Sequence, residues 1–315
     1  LIGAAWLDYG LGDPWSWPHP VQGMGWMIQR YVKLCLGCSL PPPGLRLAGI
    51  GLGLLLVAGS GAMAAIVVAG AHHWGGPLVG YGVETVLLAS CFAGRSLRDA
   101  AQAVLHPLSS DDLAAARQQL SRYVGRDTQQ LPPAEIFRAV LETVSENATD
   151  GVLAPLFYAL LGALLGLGSV PLAMAYKAAS TLDSMVGYRQ PPYTDLGWFS
   201  ARLEDGLTWL PCRLTVGTIA LLSRRPRQVW RVCRRDAIAD PSPNSGWSEC
   251  AYAAALGVQL GGVNTYQGQP RVKPKLGDAE RSIDAGVIQQ ALQFTRYSFL
   301  AWLGLGLLGL GLAGC

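Results

Sequence analysis

The sequence predicts an all-α, polytopic membrane protein with amphipathic cytoplasmic helices and one re-entrant apolar segment. Three observations predict it. Half of the 315 residues are hydrophobic and only 14% are charged, where an average soluble domain carries about a quarter. Several runs approach or exceed the ~20 apolar residues that a bilayer crossing needs. Lys and Arg gather between those runs, as the positive-inside rule expects of cytoplasmic segments. The 39 glycines and 20 prolines are scattered through the apolar runs, where membrane helices tolerate them.

Taken in order, Leu1-Ile-Gly-Ala-Ala-Trp6 reads as the end of an apolar lead-in, with no charged n-region or cleavage site to mark a signal peptide. Segment 8–46 is polar and holds Asp8, Asp13 and His19. Run 47–71 carries no charge and is the clearest span; its Gly49-xxx-Gly53 spacing lets another helix approach closely. Run 76–94 is the second span, interrupted by Glu84. Segment 95–150 reads as amphipathic helix, with Asp111-Asp112 opening 113–124 and Pro132-Pro133 opening 134–144, because proline suits a first helical turn. Run 152–176 is free of charge but broken by Pro155, Gly162, Gly166, Gly168 and Pro171, so it is expected to be a re-entrant hairpin turning near Gly162–Gly168. Segment 177–205 is polar, and 214–222 is too short to cross alone. Segment 224–296 opens on Arg224, Arg225, Arg227, Arg231, Arg234 and Arg235 and continues as a Pro/Gly/Asn-rich loop stretch. Run 297–315 is the third full span.

Eleven of the 24 Lys and Arg lie in 224–296 and six in 95–150, which places both segments, and with them 8–46, in the cytoplasm. Segment 177–205 has three bases, which leaves its side open by charge; the hairpin places it in the cytoplasm too. The expected location is therefore the inner (plasma) membrane, multi-pass. The net charge of +3 is too small to argue for nucleic acid. The seven cysteines are irregularly spaced, and the single Cys35-Leu-Gly-Cys38 has no second pair, so free, mostly buried thiols are expected.

Four blocks carry chemistry. In Glu142-Thr-Val-Ser-Glu-Asn-Ala-Thr-Asp-Gly151, Glu146 and Asp150 stand four apart and face the same way on a helix. A cation would relieve their repulsion; a solvated helix end is the structural alternative. From Lys177 through Asp183 and Tyr188 to Arg202, Glu204 and Asp205, four acids and three bases crowd beside apolar runs, where ionisable groups are costly and usually functional. Interfacial anchoring by Tyr188, Tyr193 and Trp198 is the alternative there. Mg²⁺ takes one or two carboxylates plus substrate phosphates, and Lys177 and Arg202 suit phosphates. In Asp8-Tyr-Gly-Leu-Gly-Asp13-Pro and Pro18-His19-Pro20, the prolines fix His19 either as a turn residue or as a ligand-facing one. In Pro243-Asn244-Ser-Gly-Trp247 and Gly257 to Asn264, glycines let backbone approach a ligand. No P-loop, HExxH or GxSxG is present, so the residues alone reach a polyanion or metal site at a membrane surface.

Together these blocks resemble the adenosylcobinamide-phosphate synthase (cobinamide synthase) family of cobalamin biosynthesis, over nearly the whole chain. The resemblance rests on Leu7-Asp8, Gly12-Asp13-Pro14, Pro18-His19-Pro20-Val21, Ser96-Leu97, Val124-Gly125-Arg126-Asp127, Glu142 to Gly151, Lys177, Thr181 to Tyr188, Gly197-Trp198, Ala201-Arg202-Leu203, Pro211, Arg213-Leu214, Pro243 to Trp247 and Gly257 to Gly262. Glu204, Thr208 and Cys212 depart from the family pattern, which has Asp, Asn and Ala there. The resemblance implies ATP-dependent amide formation between adenosylcobyric acid and (R)-1-amino-2-propanol phosphate, or the free aminopropanol, through an acyl phosphate. It implies Mg²⁺ as cofactor and the corrinoid as substrate. On that reading Glu146, Asp150, Lys177, Asp183, Arg202 and Asp205 are catalytic. Glu146, Asp150, Asp183 and Asp205 serve Mg²⁺ or the amine, and Lys177, Arg202 and Arg126 serve phosphate. Asp13, His19, Arg126, Asn147, Ser184, Tyr188, Asn244 and Trp247 bind substrate, with cobalt ligation a further alternative for His19. A homo-oligomer, or association with later nucleotide-loop assembly enzymes, is expected. A membrane sensor of the related β-lactamase-induction family and a corrinoid transporter are the rival readings.

Overall fold

Why the apolar runs fold as they do is visible in a computed structural model that describes residues 1–12, 19–38 and 40–314. The protein is a helical polytopic membrane protein, with one two-stranded sheet among the described residues. Among the described residues, three helical stretches are long and apolar enough to cross a bilayer: Pro42–Ser109, Pro133–Leu164 and Ala285–Ala313. The chain divides into two compact units. The first comprises Leu1–Ala93, Ala154–Thr208 and Trp302–Cys315; the second comprises Gly94–Leu153 and Trp209–Ala301.

In the first unit, helices α1 (Ile2–Gly10) and α2 (Pro20–Gly37) precede α3 (Pro42–Ala89). Pro42 stands at the N-terminal turn of α3, where its missing N–H costs nothing. Gly76 leaves helical geometry at φ 75°, and Pro77 follows. His72 Nε2 and Glu84 Oε1 nevertheless meet at 3.1 Å, although twelve residues of straight helix would hold them ~18 Å apart. The chain therefore doubles back at Gly76. The second arm is helical only to Ala89, about 20 Å of helix, so the expected span 76–94 is shorter than its hydropathy suggests. Ser90 to Ala93 form the turn into α4.

The Gly49-xxx-Gly53 face makes the close approach its spacing implies. A Cβ on Gly49 would stand 2.1 Å from the Leu196 carbonyl oxygen, and one on Gly53 2.6 Å from the Phe199 ring. Helices α7 (Ala154–Leu164) and α8 (Ser169–Val186) form a hairpin whose turn falls at Gly166 (φ 71°) and Gly168 (φ 81°). Leu164, Leu165 and Leu167 at its tip are exposed, which suits hydrocarbon. The turn lies within the stretch where the glycines place it. The polar boundary drawn at residue 177 does not appear, because α8 runs unbroken through Lys177 to Val186. Likewise 214–222 is the C-terminal part of α9 (Trp198–Leu222), a 25-residue helix that accommodates Pro211.

The family departures at Glu204 and Thr208 form one polar column inside this unit. Thr208 donates to the buried Glu204 one helical turn earlier. Its hydroxyl also lies 2.8 Å from the Tyr176 hydroxyl, and Tyr158, stacked on Tyr176, donates to the Leu207 carbonyl.

The second unit contains α4 (Gly94–Ser109), α5 (Leu113–Leu120), α6 (Pro133–Asn147), a π-helical turn (Ala148–Leu153), α10 (Pro226–Asp236), α11 (Ser245–Leu256) and strands β1 (Leu260–Tyr266) and β2 (Gln269–Leu276). Helix α12 (Ala285–Ala313) closes the chain and begins twelve residues before the expected span at 297. The Pro/Gly/Asn-rich stretch after Arg235 is thus helix and hairpin rather than loop. Gln267 and Gly268 both adopt positive φ, the backbone of a tight two-residue hairpin turn. Asp127 pins that turn by accepting from the amides of Gln267 (3.1 Å) and Gly268 (2.8 Å). Of the six described cysteines all are free, and only Cys38 is exposed.

Candidate active site

Helix α6 is amphipathic, and its charged residues fall on two levels. The lower level is a buried ion network. Arg126 donates to Glu142 and, at 2.8 Å, to Asn264 Oδ1. Arg138 donates to Glu142 at 2.9 Å, to Asn264 Oδ1 at 2.9 Å and to Glu135 at 3.0 Å. The Gly261 amide donates to Glu142 at 2.9 Å. Burial alone would raise the Glu142 pKa, but Arg126 and Arg138 together hold it below the usual carboxylate range. Arg126 was expected to bind phosphate. Its guanidinium is buried and bonded to Glu142 on α6 and Asn264 on β1, which ties the two elements together.

The upper level gathers residues of α6, α11 and β2. Glu249 on α11 is 1% exposed, and neither of its carboxylate oxygens has a hydrogen bond among the described residues. Lys273 Nζ on β2 lies 3.7 Å away. Burial pushes the Glu249 carboxyl well above its ordinary pKa; Lys273 opposes this, and Glu146, Glu142 and Asp240 reinforce it. Lys273 is raised for the complementary reason: burial would lower it, but Glu249 and Glu146 more than compensate. Glu146 is open to solvent. The π-helical turn begins two residues later, a distortion that often marks functional positions. Ser248 ties this turn to α11, lying 2.8 Å from Thr149 Oγ1 and donating to the Ser145 carbonyl at 2.6 Å. Asp150 is half-buried in the turn, and Asn147 is exposed with its amide bonded to Thr143 O.

Beside α11 stands a cationic shelf. Arg213 lies 4.5 Å from the Trp247 ring centroid and 5.2 Å from that of Trp209, within cation–π range. Its Nη1 donates to Asn244 Oδ1 at 3.3 Å. Asn244 is buried and also accepts from Cys212 at its carbonyl, 3.2 Å away. Asn244, Trp209 and Trp247 therefore fix the position of Arg213.

The first unit carries the other expected residues. Lys177 and Asp183 are half-buried on α8, Arg202 is exposed on α9, and Asp205 is half-buried one turn on. Burial raises the Asp205 pKa against the opposing pull of Arg202 and Arg189. The Tyr188 hydroxyl donates to the Ser184 carbonyl, and Ser184 donates to that of Thr181, so both hydroxyls satisfy their own helix. His19 caps α2 by accepting from the Val21 amide at 3.2 Å, as a turn histidine does. Asp13 lies outside the described residues.

Among the described residues no three His, Cys, Asp or Glu side chains gather as metal ligands. Of the four expected carboxylates, Glu146 and Asp150 lie in the second unit, on α6 and the π-helical turn, and Asp183 and Asp205 in the first, on α8 and α9. A cation held by one or two carboxylates and substrate phosphates fits the solvent-open Glu146 and neighbouring Asp150 in type and charge.

Glu249 and Lys273 are not singled out by the sequence, and Arg213 enters there only as one of the residues that carry the resemblance. The signals available were the lone acid directly before the apolar Cys250–Leu256 end of α11 and the alternation Arg271, Lys273, Lys275, which puts three bases on one strand face.

The family described as CobD/Cbib protein matches residues 1–295. The chain is 54% identical to "Cobalamin biosynthesis protein CobD" of Synechocystis over 98% of this chain and 90% of that protein. It is 45% identical to "Cobalamin biosynthesis protein CbiB" of Salmonella typhimurium, over 92% and 90%. It is 41% identical to "Cobalamin biosynthesis protein CobD" of Halalkalibacterium halodurans, over 96% and 93%. No solved structure matches the chain.

Proposed function

The chain belongs to the CobD/CbiB family, and on that premise we propose that it acts in cobalamin biosynthesis as a membrane-bound, ATP-dependent acid–amine ligase. It joins a carboxylate of adenosylcobyric acid to (R)-1-amino-2-propanol phosphate, or to the free amino alcohol, giving the adenosylcobinamide product. The observation that carries this reading is Glu249: a buried carboxylate without hydrogen bonds among the described residues, facing Lys273 at 3.7 Å.

An amine enters as ammonium and must lose a proton before its lone pair can attack. A base whose pKa lies near the working pH does this best, and burial raises Glu249 in that direction. A carboxylate is a poor electrophile. Transfer of the ATP γ-phosphoryl group to it forms a C–O–P linkage and releases ADP. The ammonium passes one proton to Glu249, the freed amine attacks the carbonyl carbon, the C–O bond breaks, and inorganic phosphate leaves carrying the second proton from nitrogen. Lys273 and Arg213 stand ready to stabilise the charge on the transferring and departing phosphate. Mg²⁺, held by Glu146 and Asp150, would supply neutralisation of the nucleotide's phosphates. In the first unit, Lys177 and Arg202 offer cations to a phosphate, and Asp183 and Asp205 offer carboxylates to an ammonium. The purified protein in lipid nanodiscs is expected to form ADP only when corrinoid acid and amine are both present. ADP formation indifferent to both would return the reading to a sensor or transporter.

The site faces the cytoplasm of the inner membrane in this proposal, where ATP is. Support comes from the base-rich segments 95–150 and 224–296, which carry 17 of the 24 Lys and Arg. The glycine turn between α7 and α8 supports a re-entrant hairpin. In a cysteine-free background, Gln190→Cys and Gln228→Cys are then expected to label from the same side. Labelling of the first only from outside and the second only from inside would refute the re-entrant arrangement.

A further inference from the structure

Helix α10 buries one face and leaves the other without a partner. Val229, Val232 and Cys233 are buried. At 3.6 residues per turn, Arg227, Arg231 and Arg234 form one stripe on the opposite side, with Trp230 beside them. All three arginines are exposed, as is Arg224 just before the helix. None of the four has an acidic partner among the described residues, whereas Arg225 pairs with Glu280 and Arg235 with Asp236 and Asp278. Trp230 is 51% exposed, which an aromatic ring on a solvated helix would ordinarily avoid. The chain enters α10 directly from the apolar end of α9, where Leu221 is 72% exposed.

We propose that the Arg227–Trp230–Arg231–Arg234 face of α10 docks on the anionic phospholipid headgroups of the membrane surface. A basic face immediately after an apolar helix end attracts acidic lipid electrostatically. Tryptophan prefers the headgroup level, where its ring is buried and its N–H stays wet. Arginine stems cover apolar surface while the guanidinium reaches phosphate. Trp230 also touches Trp247 at 5.8 Å between ring centroids, so docking steadies the ring on which Arg213 lies.

Hydrogen exchange of the 224–236 backbone in the full chain tests this, in nanodiscs of phosphatidylcholine alone and of phosphatidylcholine with phosphatidylglycerol. Exchange is expected to slow about tenfold in the anionic discs, and high salt should restore the faster rate. The triple variant Arg227→Gln/Arg231→Gln/Arg234→Gln should lose the difference, and the corresponding triple lysine variant should keep it. Equal exchange of the wild type in both lipids would overturn the proposal. So would equal slowing by inorganic phosphate in neutral discs, which would assign the face to a soluble anion.

Discussion

Glu249→Gln is expected to lower turnover by about 10²–10⁴-fold, the range a positioned general base contributes, while the protein stays folded and membrane-inserted. The swap keeps the shape of a buried side chain and removes only its charge and basicity. In the wild type the rate should climb with pH as Glu249 ionises above the ordinary carboxylate range; in the variant that limb should vanish. Stability should move the other way. A carboxyl whose folded pKa is raised opposes folding once pH exceeds its unfolded pKa, but Glu249 also sustains the charge of Lys273, so it is the Glu249→Gln/Lys273→Met double variant that should hold or raise the unfolding temperature at neutral and alkaline pH. Glu146→Gln should also lose turnover but keep the pH limb, because it bears on the nucleotide rather than on the amine. Full activity of Glu249→Gln would remove the base from the account.

Glu142→Gln should have the largest effect on stability. Glu142 receives Arg126, Arg138 and the Gly261 amide, and removing one member of a buried ion network costs roughly 3–5 kcal/mol. The depressed Glu142 pKa fixes the direction with pH. Its contribution is fully present above the unfolded carboxylate pKa of about 4.3 and is lost as pH falls through the lower folded value. The wild type should therefore lose thermal stability in acid over that window, and the variant should lack this step. Arg126→Met should destabilise in the same way. An Arg126→Met protein of normal stability but weakened ATP use would restore the phosphate-binding role read from the sequence.

What the sequence discloses and what it hides divide along contact distance. Charge-free runs, the Gly49/Gly53 face and the glycines at 166 and 168 act over a few residues or against any neighbour, so their helices, close packing and turn were legible. The Glu142 to Gly151 block stands out in the sequence because its acids are close along the chain. Glu249 and Lys273 are 24 residues apart in sequence and meet only once the β1–β2 hairpin folds over α11, so neither announces its partner. The partners of Arg126 were hidden for the same reason: nothing near it in sequence reveals that Glu142 and Asn264 will engage it. The hairpin was hidden by its own glycines and prolines, which weaken strand patterning while serving the Gln267-Gly268 turn and the close pairing at Gly261. The end of the 76–94 run at Ala89 was hidden because hydropathy counts residues without seeing where a helix stops.

The claim that a carboxylate is activated by phosphorylation and then captured by an amine is tested most directly by isotope transfer. The purified chain in nanodiscs is given corrinoid acid labelled with ¹⁸O in both oxygens of the reacting carboxylate, together with ATP and amino-alcohol phosphate. Mass spectrometry of both products should find one ¹⁸O retained in the amide and the other in inorganic phosphate. Absence of amide, or amide formed with unlabelled phosphate, would contradict it.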